Sequence, residues 1–417
     1  MKTKNRYLIL AAGMTVQLCA GIIYGWSVFR DFVAVHLTKD GLPWDSDAAK
    51  LTSSIMLSMF VLGIIFGGKA QDKFGPKKVT LAGSILIGAG MALTAIVPPA
   101  APWLVYVTYG IAAGLGVGTV YMATIAAVQK WFPDRRGFAS GMIVCAFGFS
   151  LVVFMPIAGA MLGSVVEINN VKALSGGIGV PATFLVFGIG FGVICAVSSL
   201  FVENPPQGYL PEGYSPPQAV SSKRQYKPLE MLKTKQYYLL AGGLLFTLPS
   251  YFVLNPSFKQ LAIERGLPEV ALLLVMLTGI GSASGRLIVS WVSDKIGRKT
   301  AMVSIAVITL VSSLIMIPAT GIIVLICIML ISFAFGGAAS VYSAMTAESF
   351  GTKYGGVNFG LVMLGFGVSA LVFQYISTLL PKEAGEVVGI SSFIVAAATC
   401  VIAIVLVLLM DDPNKVK

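Results

Sequence analysis

The chain of 417 residues is 56% hydrophobic and only 11% charged, with a formal net charge of +11 at pH 7. One soluble domain of this length could not bury so much apolar surface, so the composition excludes a soluble protein and predicts a polytopic membrane protein. The five cysteines are scattered through apolar runs and His36 is the single histidine, so we expect no disulfides, no metal site and no cofactor.

Twelve apolar runs are each long enough to cross the roughly 30 Å hydrocarbon core of a bilayer. In chain order they lie near residues 7–29, 51–68, 79–97, 103–129, 138–162, 180–202, 237–258, 270–292, 300–318, 321–346, 357–380 and 388–410. No small-residue cleavage site follows the basic start of the chain, so we interpret the first run as a retained span. The expected fold is an all-α membrane protein with twelve transmembrane helices.

The distribution of basic residues predicts the orientation of these spans. If the chain alternates sides, 21 of the 29 lysines and arginines lie on the side of the two termini, seven lie on the opposite side, and Arg286 remains within a span. Such a bias is typical of cytoplasmic loops, so we expect both termini in the cytoplasm and a multi-pass location in the bacterial cytoplasmic membrane. The positive charge thus reflects topology and not a nucleic-acid partner.

A long hydrophilic segment, residues 203–236, divides the chain into a half of six spans at 1–202 and another at 237–417. Its proline-rich composition is typical of an extended linker. The loop after the second span, G-K-A-Q-D-K-F-G-P-K-K, recurs after the eighth span as S-W-V-S-D-K-I-G-R-K. The repeated residues that we single out are Gly68, Asp72, Gly75, Lys77, Asp294, Gly297 and Arg298. Two related six-helix halves indicate a parallel-repeat transporter with its site between them.

Arg286 is the candidate at the centre of that site. It precedes Asp294 by eight residues, which places it about 12 Å inside the membrane boundary. Every other lysine and arginine can be assigned to a loop or a helix end, and no carboxylate lies deep in a span. A buried cation requires a partner, so we expect a substrate anion to be its counter-ion; the alternative is that it snorkels to the cytoplasmic interface.

Polar and aromatic residues in other spans could complete the site. A tyrosine hydroxyl can donate to a carboxylate while its ring forms an apolar wall for a short organic tail. The candidates are Tyr24, Trp26, Tyr121 and Tyr342, with Asn255 and Gln374 as weaker ones. Asn255 precedes Pro256, so this pair could instead only mark a break near the outer end of its helix.

The D-K-x-G-x-K loops and the six-plus-six layout resemble the major facilitator superfamily over the whole chain. Motifs at 17–29 (Q-L-C-A-G-I-I-Y-G-W-S-V-F), 114–121 (G-L-G-V-G-T-V-Y), 130–141 (K-W-F-P-D-R-R-G-F-A-S-G) and 285–298 (G-R-L-I-V-S-W-V-S-D-K-I-G-R) are similar to the oxalate/formate antiporter family, itself similar to monocarboxylate transporters. In that family an arginine of the eighth span binds the substrate carboxylate. By position, Arg286 matches it.

The resemblance has one departure that bears on the substrate. Oxalate-exchanging members carry a second cation in the eleventh span, whereas this chain has Phe366 at or near that place. One fixed positive charge balances one carboxylate, but a dianion would leave a net negative charge in a medium of low dielectric. We therefore expect a monocarboxylate to be bound rather than oxalate.

The predicted function is secondary active transport of a small monocarboxylate by alternating access, with L-lactate first and pyruvate or formate as other substrates. Coupling by proton symport and coupling by anion exchange both stay open, and a functional monomer is expected. The alternatives are an oxalate/formate antiporter and a non-transporting carboxylate sensor. No enzyme is expected, because no span carries a Ser-His, Cys-His, metal or paired-carboxylate constellation.

Overall fold

A computed structural model describes residues 5–38, 44–168, 171–206, 209–211, 225–351, 354–383 and 386–411. Much of the predicted linker, namely residues 207–208 and 212–224, lies outside these ranges. The described end of the linker forms one helical turn, Pro228–Met231. The N–H of Tyr226 donates to the carbonyl of Phe350 at 3.0 Å, which ties this segment to the tenth membrane helix.

The first six membrane helices, α1–α6, follow the predicted order. Helix α1 consists of Arg6–Ala20, a 3-10 turn at Gly21–Tyr24 and a second segment, Trp26–His36. The others are α2 (Ser46–Phe74), α3 (Pro76–Thr94), α4 (Tyr106–Trp131), α5 (Arg136–Leu162) and α6 (Gly179–Ser199). An antiparallel hairpin of β1 (Ser164–Ile168) and β2 (Val171–Ser175) joins α5 to α6, where the sequence predicted only a loop.

The last six membrane helices, α7–α12, complete the bundle. Helix α7 spans Lys235–Glu264 and is interrupted by a 3-10 turn at Asn255–Ser257. The others are α8 (Ala271–Ile296), α9 (Arg298–Met316), α10 (Ile322–Phe350), α11 (Gly355–Leu379) and α12 (Ile390–Leu408). The proline at 256 cannot donate an N–H bond, which accounts for the interruption of α7.

In the part of the chain that the structure describes, eleven of these helices are long and apolar enough to cross a membrane. Helix α3 is the twelfth: it has 19 residues and two basic residues in its first turn, as α9 does, but it also contains three glycines, which make it less apolar. The predicted all-α architecture of twelve membrane helices is thus confirmed. We call the end of the bundle at which α1 begins and α12 ends the termini end, and the opposite end the distal end.

Two seams bring α1–α6 against α7–α12. Along the first, α5 lies so close to α8 that a Cβ added at Gly148 would come within 2.9 Å of the Cβ of Ala283. Along the second, the Ser58 hydroxyl of α2 donates to the carbonyl of Gly367 in α11 at 2.6 Å. Small residues allow this close helix approach, so side chains that point inward from both sets meet in the middle of the bundle.

The two repeated loops have the same backbone geometry. Gly75 has φ 81° and ψ 158°, and Gly297 has φ 89° and ψ 151°, a conformation that L side chains rarely adopt. Arg298 forms ion pairs with Asp294 at 2.6 Å and with Glu348 at 2.9 Å. Asp72 and Lys77 of the first loop are exposed. The tightest helix contact beside that loop is made by Gly67, whose added Cβ would lie 2.8 Å from Thr119, and not by Gly68.

Candidate substrate site

Arg286 lies in the middle of the bundle, on α8, and is only 4% exposed. Its Nη1 donates to the carbonyl of Val144 in α5 at 3.2 Å, and its Nη2 donates to the hydroxyl of Tyr24 in α1 at 3.3 Å. The guanidinium carbon lies 5.4 Å from the ring centroid of Phe147, within cation–π range. The head group is therefore held by neutral partners inside the bundle, and it does not snorkel to an interface.

The charge of Arg286 has no carboxylate partner among the described residues, whose ion pairs all lie elsewhere. Its Nε is buried without a hydrogen-bond acceptor. A guanidinium has five N–H donors, and the two bonds above leave donors free for a ligand. An anion at this place would supply both the missing charge and the missing acceptors.

Eight aromatic rings from seven helices contact one another beside this position and form what we call the aromatic cluster, of which Tyr24 and Phe147 lie against Arg286. Tyr24 makes edge contacts with Phe147, Tyr251 and Phe335, with ring centroids 5.4–6.0 Å apart. Tyr251 stacks on Phe335 at 3.6 Å. The members are Tyr24, Phe60, Tyr121, Phe147, Tyr251, Phe252, Phe335 and Phe366. The cluster draws rings from both six-helix sets, so this largely apolar group spans the interface between them.

Of the residues predicted for the site, Tyr24, Tyr121 and Phe366 belong to the aromatic cluster. Phe366 contacts Phe60, Phe252 and Phe335, so an apolar ring occupies this part of α11. The sequence reasoning missed the cluster's other five members. The phenylalanines gave no signal, because they are ordinary packing residues in membrane helices. Tyr251 could have been found, because it is a polar aromatic residue that lies just after Pro249 in an interrupted span.

Four other residues that were predicted for the site are not members of the aromatic cluster. The indole N–H of Trp26 donates to the carbonyl of Ala49 at 2.8 Å, which makes this side chain part of the packing between α1 and α2. The hydroxyl of Tyr342 lies 3.3 Å from that of Thr247. Asn255 donates to Ser53 at 3.1 Å and so links α7 to α2. Gln374 is 1% exposed, and its Oε1 has no hydrogen-bond partner.

The structure contains two further buried cations that the sequence assigned to loops or helix ends. Because α1 continues to His36, Arg30 lies inside this helix and is 3% exposed. Lys50 lies in the first turns of α2 and is 6% exposed. Among the described residues, Arg286 is therefore one of three buried cations, and Arg30 lies inside a helix that was predicted to end at residue 29. Both additional cations lie at the distal end and pair with a carboxylate, Asp31 or Asp47, whereas Arg286 has only neutral partners.

The geometry suits recognition of an organic anion. Within the described ranges, no group of three or more His, Cys, Asp or Glu side chains could hold a metal ion. The cluster offers one fixed positive charge, tyrosine hydroxyls and apolar ring faces. Such a site can neutralise one negative group and surround a short apolar tail.

Comparison with known proteins identifies the family. The family model described as the Major Facilitator Superfamily matches residues 8–373 and, in a second match, residues 240–417. The chain belongs to the Major Facilitator Superfamily. It is accordingly a multi-pass membrane transporter, and members of this superfamily are in general not enzymes. The second match, over the C-terminal half, agrees with the internal repeat of the signature loops.

Several relatives within the superfamily match most of the chain. The MFS-type transporter YhjX of Escherichia coli (strain K12) is 28% identical over 88% of this chain and 86% of its own length. The oxalate:formate antiporter of Oxalobacter formigenes is 27% identical, covering 85% of this chain and 79% of its own. The apicoplast pyruvate carrier 1 of Toxoplasma gondii is 21% identical, over 91% and 84%. These relatives support the resemblance that the motifs indicated.

Among solved structures, the xylose transporter XylE of E. coli in a partially occluded inward-open conformation has the same fold. Its TM-score is 0.70 at 15% sequence identity, with 99% of this chain and 98% of that chain covered. At this level of identity the likeness concerns the fold of the superfamily alone. The substrate has to be argued from the side chains of the site.

Proposed function

We propose that this transporter carries a small monocarboxylate across the bacterial cytoplasmic membrane by alternating access, with Arg286 binding the carboxylate. The observation that carries the proposal is a buried guanidinium that has neutral partners and unfilled donors inside an aromatic cluster. Ionised carboxylates are strong acceptors for such donors, because both groups are charged and the geometry can be bidentate.

The interface position of Arg286 supports its role in alternating access. Arg286 belongs to α8, whereas its two hydrogen-bond partners, Val144 and Tyr24, belong to α5 and α1. A substrate bound here would touch both six-helix sets. We propose that these sets, which are divided at the linker 203–236, are the two halves that move. Rocking of the halves around a central site is the general mechanism of repeat-built transporters.

The charge of the site favours one carboxylate over two. Phe366 and its aromatic neighbours place apolar surface in the part of α11 where a second cation would be needed. A dianion paired with Arg286 alone would leave one uncompensated charge in a low-dielectric interior, which is costly. L-lactate is our first choice because the rings can surround its methyl group, and pyruvate and formate carry the same single charge.

Tyr24 and Tyr121 are proposed to contact the substrate beside Arg286. Their hydroxyl groups can donate to a carboxylate, and their rings line the same cluster. Tyr342, Trp26, Asn255 and Gln374 remain weaker proposals. Exchange of oxalate for formate is the second candidate function, favoured by the 27% identity to an oxalate:formate antiporter.

Uptake of labelled L-lactate, pyruvate, formate and oxalate into proteoliposomes, with and without an imposed pH gradient, tests the proposal. We expect saturable uptake of one or more monocarboxylates, and loss of at least about 90% of it in Arg286→Gln, because an essential ion pair is removed. A matched control is Arg265→Gln, which removes a partly buried arginine that bonds to the carbonyls of Ile317 and Ala319 in the same half. Wild-type rates in Arg286→Gln, or robust exchange of oxalate alone, would overturn the proposal.

A further inference from the structure

Arg30 at the distal end connects the two six-helix sets. Its Nε donates to Asp31 Oδ1 at 3.0 Å on its own helix. Its Nη1 donates across the interface to the Ser257 hydroxyl at 2.8 Å and to the Pro256 carbonyl at 3.2 Å, both in the broken segment of α7. The guanidinium therefore holds one partner that moves with it and two that belong to the opposite set.

Other hydrogen bonds at this end also join the two sets, and with Arg30 they form what we call the distal gate. The amide of Gln260 donates to the carbonyl of Ser27 at 2.9 Å and to Asp31 Oδ2 at 2.8 Å. Between α2 and the segment that joins α11 to α12, Lys50 donates to the carbonyl of Val387 at 2.9 Å, and Lys382 pairs with Asp47 at 2.7 Å. The distal end is thus closed in this structure by polar contacts between the sets.

The charges of the distal gate are arranged with cations inside and carboxylates toward the rim. The side chains of Arg30 and Lys50 are 4% and 7% exposed, whereas those of their partners Asp31 and Asp47 are 39% and 28% exposed. Other acids at this end, Asp45 and Glu383, are exposed. When the gate opens, an anion that enters between the halves would meet the buried cations after passing the acidic rim.

Opening the distal gate changes the bonding of Arg30 in a defined way. Ser257 and Pro256 would withdraw with the opposite set, while Asp31 would stay, because it is the next residue on the same helix. Nη1 would then face the opened cleft with its donors free for an entering anion. Arg30 lies six residues beyond Tyr24, or about 9 Å along the helix from the contact with Arg286.

We propose that Arg30 is a second carboxylate-binding site, which docks the incoming monocarboxylate when the distal gate is open and passes it toward Arg286. On closure, Ser257 and Pro256 replace the carboxylate on Nη1, and the substrate is released inward. The gate bonds and the substrate bond both use Nη1 and therefore compete for it. This inference rests on the proposed monocarboxylate transport.

A role in gate closure alone makes the opposite prediction for affinity at the distal side. Weakening the gate raises the fraction of molecules that are open to the distal side, and a larger competent fraction lowers the apparent KM there. Loss of a docking cation raises the same KM. The direction of the change in KM therefore separates the two roles.

The variants for this test are Arg30→Gln and Arg30→Met, with Ser257→Ala and Gln260→Leu as matched gate controls that keep the cation. Initial uptake rates are measured for the monocarboxylate that the wild type transports fastest. Right-side-out vesicles present the distal side to the substrate if the termini are cytoplasmic, and inside-out vesicles present the termini side. Arg30→Met is included because a buried Gln without partners could prevent folding, whereas Met needs no hydrogen-bond partner. Monodispersity in detergent checks that each variant folds.

We expect both Arg30 variants to raise the distal-side KM by about tenfold, the size typical of a lost charge-assisted bond, while the two gate controls lower it or leave it unchanged. An unchanged or lowered distal-side KM in the Arg30 variants overturns the docking role and leaves monocarboxylate transport standing. If wild-type vesicles take up no monocarboxylate, the proposed function fails, and the docking role fails with it.

Discussion

Arg286 of α8 and Tyr24 of α1 form a 3.3 Å hydrogen bond across the interface between the two six-helix sets. The hydroxyl of Tyr24 accepts from the guanidinium, so its own proton is free to be donated to a third group. A carboxylate at this place could bind the arginine and the tyrosine together. The bond therefore links the candidate site to the relative position of the two sets.

Replacement of Tyr24 by Phe is predicted to weaken transport without loosening the fold. The ring contacts with Phe147, Tyr251 and Phe335 would remain, and only the hydroxyl would be lost. Loss of one hydrogen bond to a charged group costs about 1.5–3 kcal/mol, so we expect the KM for the transported monocarboxylate to rise at least about tenfold. Tyr109→Phe is the control, because the Tyr109 hydroxyl is buried without a partner in the packing of α4. Equal KM values for the two variants would remove Tyr24 from the site.

Replacement of Phe366 by Lys is predicted to change the substrate. A second cation in α11 would balance the second charge of a dicarboxylate, so labelled-oxalate counterflow should appear or increase at least about tenfold while monocarboxylate uptake declines. Phe366→Met keeps the position apolar and should leave the preference as it is. Oxalate exchange that is as fast in the wild type as in the lysine variant would contradict the charge argument.

The contact of α8 with α10 predicts a strong steric effect at Gly285. A Cβ added there would lie 2.0 Å from the carbonyl oxygen of Phe333, so the two helices would have to separate. We expect Gly285→Ala to destabilise the protein by about 1–3 kcal/mol and to lower the detergent melting temperature by several degrees. Gly190 has nothing within 4 Å of its added Cβ, so Gly190→Ala should melt as the wild type does. Because Gly285 precedes Arg286, the same substitution should also impair transport.

The orientation of the chain can be tested with single cysteines at the two ends. Asp45 and Lys235 are exposed residues that lie at the distal end and the termini end. In intact cells, a membrane-impermeant maleimide should label Asp45→Cys and not Lys235→Cys, because the charge bias predicts that the termini lie in the cytoplasm. The wild type, in which four of the five cysteines are buried, measures the background. Labelling of Lys235→Cys alone would reverse the assignment.

Hydropathy predicted the helices well because a bilayer demands long apolar segments with internally bonded backbones. Hydropathy failed where polar partners allow a helix to continue past charged residues. The first span was expected to end at residue 29, since Arg30 and Asp31 follow it, but partners on α7 allow the helix to carry both charges on to His36. Such partners come from 226–229 residues away and leave no local signal.

The sequence predicted the charged residue of the candidate site but not most of the aromatic residues around it. Arg286 stands out because a lone cation in an apolar run is expensive, and Tyr24 and Tyr121 stand out as polar aromatics in helices. Phe147 and Phe335 could not be distinguished from the other phenylalanines of the chain, because only the crossing of the helices decides which rings face inward. The hydrogen bond of Trp26 could not be predicted for the same reason, since the backbone acceptor of its N–H lies on a different helix.

The break in α7 has a consequence for how much work an opening motion requires. The helical segment Phe258–Glu264 begins after Ser257, so the carbonyl of Pro256 and the hydroxyl of Ser257 stand outside its regular ladder of backbone bonds. These are the groups that Arg30 reaches. The halves can part at this point by exchanging side-chain partners, and no turn of helix has to unwind for them to do so.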